Sequence, residues 1–136
     1  MIYIIENLLP IFVAACGGLL AGTVYLNAAG RVSSMTDSAK VRSIGALLVA
    51  FVAEFWIASI LAGALILAPE EAGEWAMAIG TAFILWVGFI APAMVVNHRY
   101  EGRGWGQTGI KTGHWLLVLV VQAVLLQSLG VEGPGT

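Results

Sequence analysis

Three stretches of this chain, from Asn7 to Gly30, from Trp75 to His98 and from Thr112 to Val131, contain no charged side chain. A fourth, from Ile44 to Ala68, is interrupted only by Glu54. Crossing a bilayer as a helix takes roughly 20 mostly apolar residues, and each stretch is long enough. About 10% of the 136 residues are charged and mean hydropathy is +0.92. So few charges cannot cover the surface of a soluble globule, and six Lys and Arg cannot neutralise a nucleic-acid backbone. A disordered chain is excluded by the same apolar composition. The runs are too long for strands and lack period-two alternation. The sequence therefore predicts an all-α integral membrane bundle, a single domain over 1–136, with four transmembrane helices at about 8–29, 44–68, 75–97 and 112–130.

The breaks between spans carry turn chemistry. SSMTDSAK is short and polar, and its Ser or Asp suits a helix cap. PEEAGE opens with the helix-stopping Pro69. HRYEGRGWGQTG reads as a glycine-rich loop, and the tail VEGPGT as a non-helical end that frays. Val13-Ala14-Ala15-Cys16 resembles a lipoprotein cleavage box, but no Lys or Arg precedes it, so we keep it as part of the first span. The single Cys16 has no internal disulfide partner.

Charge predicts the topology. Arg31, Lys40 and Arg42 lie between the first two spans, and Arg99, Arg103 and Lys111 between the last two. The middle loop holds Glu70, Glu71 and Glu74 and no base. The positive-inside rule then places loops 1–2 and 3–4 in the cytoplasm and both termini outside, in the periplasm of a bacterial inner membrane.

Helices have no hydrophobic reason to associate in lipid, so small residues mark their packing faces. Ala14, Gly18 and Gly22 recur every four residues on the first span, and Ala46, Ala50, Ala58 and Ala62 keep that spacing on the second. Glu54 completes the second row and therefore points toward other helices. On the third span, Pro92 removes a hydrogen bond to Gly88 and predicts a kink.

Glu54 is the anomaly. At 1.5 Å per residue it stands about 15 Å into its span, near the middle of a bilayer. A carboxyl there must be protonated, paired or solvated by a cavity. Thr23, Tyr25, Asn97, His114 and Gln122 lie on the loop side of the bundle, which predicts a polar vestibule with Glu54 at its floor. Glu54 with Thr23, Tyr25, Gln122, His114 and Asn97 is the candidate intramembrane site. The plainer alternative is a neutral Glu that hydrogen-bonds a neighbouring helix. Trp56 and Trp86 lie deep enough to pack in the bundle, while the other tryptophans suit interfacial belts. His98 and His114, on successive spans at one membrane face, are the candidates for haem or pigment ligation. No metal-ligand cluster and no nucleophile–base spacing appears, so neither a cofactor, a metal nor a catalytic residue is expected.

The segment AFILWVGFIAPAMVVNHRYEGRGWGQTGIKTGHWLL resembles the bacterial membrane-protein family called domain of unknown function 1761. Trp86, Gly88, Phe89, Ala91, Pro92, Asn97, Tyr100, Glu101, Gly102, Arg103 and His114 carry the resemblance, while the first span matches poorly and keeps only Gly22, Tyr25 and Gly30. It implies a multi-span inner-membrane protein and draws attention to the loop motif Tyr100, Glu101, Gly102 and Arg103. There Glu101 and Arg103 are placed to form a loop ion pair or to bind a headgroup or partner.

Three functions compete. The first is small-solute or ion and proton handling around Glu54. The second is an accessory or structural subunit of a larger membrane complex, and a homo-oligomer, which the first would need, or such a complex is the expected assembly. The third is a cofactor- or pigment-binding protein using His98 and His114. The lipid bilayer is the expected surrounding in each, and nucleic acid is excluded.

Overall fold

The computed structural model describes residues 2–33 and 44–135. Lys40, Arg42 and the cap residues expected in loop one lie outside that range, and of Arg31 only the backbone is described. The described residues are helical, without strands. A short α1 (Ile2–Glu6) leads into α2 (Leu8–Ser33), followed by α3 (Ile44–Ile66), a 3-10 turn (Glu70–Ala72) and α4 (Glu74–Leu85). A π-helical turn (Trp86–Ile90) joins α4 to α5 (Ala91–Tyr100), and α6 spans Trp105–Leu129. Four helical segments are long and apolar enough to cross a membrane, with α4, the π turn and α5 forming one of them. The expected spans are all present. The glycine-rich segment after Arg103 is the exception to the expected loops, because α6 already begins at Trp105. Gly106 and Gly109 are helical there, since four-residue backbone bonding outweighs the modest entropy cost of a few glycines.

The boundaries follow local chemistry. Pro10 sits in the first turn of α2, where its missing N–H removes no helix bond. α3 stops before Pro69, with Leu67 and Ala68 bonding back to Gly63 and Leu65. The Glu-Gly-Arg loop is a helix stop. Gly102 adopts a φ of 69°, its N–H bonds to the Arg99 carbonyl, and the Arg103 N–H reaches back to the His98 carbonyl. That pair of bonds is the Schellman arrangement, and its positive φ favours glycine. Pro92 cannot donate to Gly88, and the helix answers by widening: the Ala91 N–H bonds five residues back to Trp86.

α6 is the centre of the bundle and contacts α2, α3, α4, the π turn and α5. α2 lies antiparallel against α6, and α3 packs mainly on α2. Ile11 and Ala14 of α2 meet Ala58, Leu61 and Ala62 of α3, Ala78 and Ala82 of α4, and Leu119, Ala123 and Leu126 of α6. So many alanines let the backbones approach closely, which is how helices gain dispersion energy in lipid. The outward surface is apolar, with Leu20, Val24, Val49, Val52, Ile84 and Phe89 all exposed. Trp56 joins this surface rather than the core, since it projects from the face of α3 opposite Ala58 and Ala62. Trp86 is half-buried and donates its indole N–H to the Thr112 carbonyl at 2.8 Å.

The expected fraying of the tail does not extend to Glu132, which is held in place. Asn7, buried at the start of α2, donates Nδ2 to the Glu132 carbonyl at 2.9 Å and accepts the Glu132 N–H on Oδ1 at 2.8 Å. One amide side chain satisfies both backbone groups of Glu132, which fastens the two ends of the described chain together.

Candidate functional site

A row on α6 faces a row on α2. His114, Val118 and Gln122 recur every four residues on α6, and Gly22, Gly18 and Ala14 do so on α2 in the opposite direction. Ridges of this spacing interdigitate, and the glycines leave notches. A Cβ built on Gly18 would stand 2.5 Å from Oε2 of Glu54 and 2.9 Å from Nε2 of Gln122. One on Gly22 would stand 2.5 Å from Nε2 of His114. The GxxxG of α2 therefore does more than bring two backbones together. Its notches hold three polar side chains, two from α6 and one from α3.

Glu54 is 2% exposed, Gln122 fully buried and His114 8% exposed. Gln122 donates Nε2 to the backbone carbonyl of Glu54 at 3.2 Å, which ties α6 to α3 at mid-span. Its Oε1 is buried with no hydrogen-bond partner among the described residues. Tyr25 packs its ring 6.2 Å from that of His114, and its hydroxyl lies against Gly113. On the other side of Glu54, Ser59 is buried and bonds to the Phe55 carbonyl, while the Tyr3 hydroxyl donates to the Ser59 carbonyl at 3.2 Å. A seam of polar groups thus runs from the buried Glu54 and Gln122 to the buried His114 and the half-buried Tyr25 at the loop end. Ser59 and the half-buried Tyr3 lie at other faces of α3, about 140–180° around the helix from Glu54.

The expected site residues divide. Glu54, Gln122, His114 and Tyr25 come together on this seam, and Gly18 and Gly22 form its wall. Ala14, Ala58 and Ala62 are fully buried in the adjoining core, and Ala50 is half-buried. Thr23 is half-buried, Asn97 is exposed, and Pro92 is exposed beside the π turn. The described pockets lie elsewhere. One of about 490 Å³ at the termini end is lined by Leu65, Glu74, Met77 and Gln127 among others. One of about 350 Å³ is lined by Ile57, Ile60, Leu85, Phe89, Ile90 and Leu119.

His98 stands apart from His114. It belongs to a cluster between α5 and α6, where its Nδ1 lies 3.0 Å from the hydroxyl of Thr108. Thr108 precedes His114 by six residues, so about 120° of helix rotation separates the faces on which the two histidines are held. In the adjoining loop Arg103 and Glu101 form the expected ion pair. Sequence reasoning passed over Asn7, Thr108 and Arg99. Asn7 directly before an apolar run was the one visible signal among them.

A family model described as "Protein of unknown function (DUF1761)" matches residues 9–127. The match includes the first span and so reaches beyond the α4–α6 half that carried the motif. No curated protein and no solved structure matches the chain.

Proposed function

This chain belongs to the DUF1761 family, whose description carries no activity, and we propose its function from its own buried polar groups: it handles protons or small ions, with Glu54 as the binding carboxyl. The observation that carries this reading is the convergence of Glu54 and Gln122 on the notch at Gly18, in the middle of four apolar helices. An ionisable group at that depth is costly to keep, and a site for a transported charge is a recurrent reason to keep one. The Gln122 amide beside it supplies a donor to the Glu54 backbone and a buried acceptor in Oε1. His114 and Tyr25 extend the polar seam toward the loop end. The six-to-zero division of basic residues between loops supports a multi-pass arrangement in a bacterial inner membrane with the basic loops cytoplasmic.

The test is proton flux in liposomes holding the purified chain and a pH-sensitive dye. The wild-type chain acidifies the lumen under an imposed potential, and Glu54→Gln abolishes the signal while preserving size and shape. Equal flux in the two forms, or no flux of protons or of a small cation followed with its own dye in either, overturns the proposal.

A further inference from the structure

The corner joining α5 to α6 carries a polar cluster that the Glu54 seam does not use. Arg99 lies with its guanidinium carbon 3.9 Å from the centroid of the Trp105 ring. Its Nη2 donates to the Thr108 hydroxyl at 2.8 Å. Its Nε is buried and has no hydrogen-bond partner among the described residues. The carboxylate of the adjoining loop, Glu101, is already engaged by Arg103, and Arg99 makes no ion pair among the described residues. Thr108 also bonds to the Gly104 carbonyl at 3.1 Å and to His98, so the hydroxyl is a hub that holds the guanidinium in place. α6 starts at this corner, its N-cap is Gly104, and no side chain caps the first-turn amides.

These features together describe half of an anion site. A guanidinium held against an indole keeps its charge; its Nε is buried, and the Nη1–Nη2 edge is the planar fork left to match the oxygens of a phosphate. Uncapped amides at a helix start favour the same charge. The surroundings identify the source of the anion. Tyr100 and Trp105 are 88% and 67% exposed at the ends of two membrane-length helices, the depth at which aromatic belts meet headgroups. We propose that this corner binds the phosphate of an anionic phospholipid headgroup, with Arg99 as its charged ligand and the first turn of α6 supplying further donors. The site is separate from the Glu54 seam and does not depend on it.

The experiment is lipid retention by the purified full chain in neutral detergent, supplied with equal phosphatidylglycerol and phosphatidylcholine and read by native mass spectrometry. The wild-type chain retains phosphatidylglycerol over phosphatidylcholine by about five-fold, the scale of one basic residue at a membrane surface. Arg99→Gln brings the ratio near one, and Arg99→Lys, which keeps the charge but loses the planar fork, falls between. The charge-neutral double variant Glu101→Gln/Arg103→Gln leaves the preference intact. Parity in the wild-type chain overturns the proposal whatever the variants do. So does a preference that survives Arg99→Gln, or one lost equally in the double variant. Excess inorganic phosphate leaves retention unchanged if the headgroup is the ligand, and its displacing the lipid would assign the site to a soluble phosphate instead.

Discussion

Glycine 18 shows how much a single hydrogen side chain controls. The space it leaves is occupied by the ends of Glu54 and Gln122, so anything larger must displace two buried polar groups. Gly18→Ala is expected to destabilise by about 1–3 kcal/mol, the usual cost of overpacking a core. Gly80 in α4 is the matched control, because a Cβ there meets nothing within 4 Å. Gly80→Ala should stabilise by about 0.5–1 kcal/mol through helix propensity alone. Thermal unfolding in detergent measures both, and equal behaviour at the two positions would refute the notch. The four-residue spacing of Gly18 and Gly22 was visible in the sequence. The occupants of the notches were not, because they come from helices distant along the chain.

At the scale of elements, the ends of helices are set by a few local bonds and one distant one. The Schellman stop at Gly102 and the π turn ahead of Pro92 were each foreshadowed by a glycine or a proline. The early start of α6 was not, because Gly106 and Gly109 in its first turns read as a loop until the helix is seen to continue through them. The tail is held by a contact of another kind, since Asn7 and Glu132 meet only after α2 and α6 pack. Asn7→Ala removes both bonds and should cost about 1–3 kcal/mol, concentrated in the tail. Hydrogen exchange reads this directly. The Glu132 amide should lose protection while amides in the middle of α6 keep theirs, and unchanged protection at Glu132 would show that something else holds the tail.

The whole molecule is a bundle around α6, with both described ends on one side and the connection between α5 and α6 on the other. Orientation in the membrane is a property of this scale, because it depends on charge summed over loops. In a Cys16→Ser background, a cysteine at Gly104 should react with a membrane-impermeant thiol reagent only from the cytoplasmic side. One at Gly73 should react only from outside. The reverse pattern would invert the topology, and reaction of both from one side would break the four-span reading.

The sequence by itself determined that four apolar segments are helices long enough to cross a membrane, where two of them stop, and which residue within them is out of place. Those properties follow from hydropathy, length and backbone chemistry, which act locally. The tertiary structure decided what surrounds Glu54, what fastens the tail and which arginine remains without an ion-pair partner among the described residues. Each of these depends on the rotation and depth of one helix against another. In lipid that register is set by the fit of side chains into notches, and apolar pattern alone does not specify it.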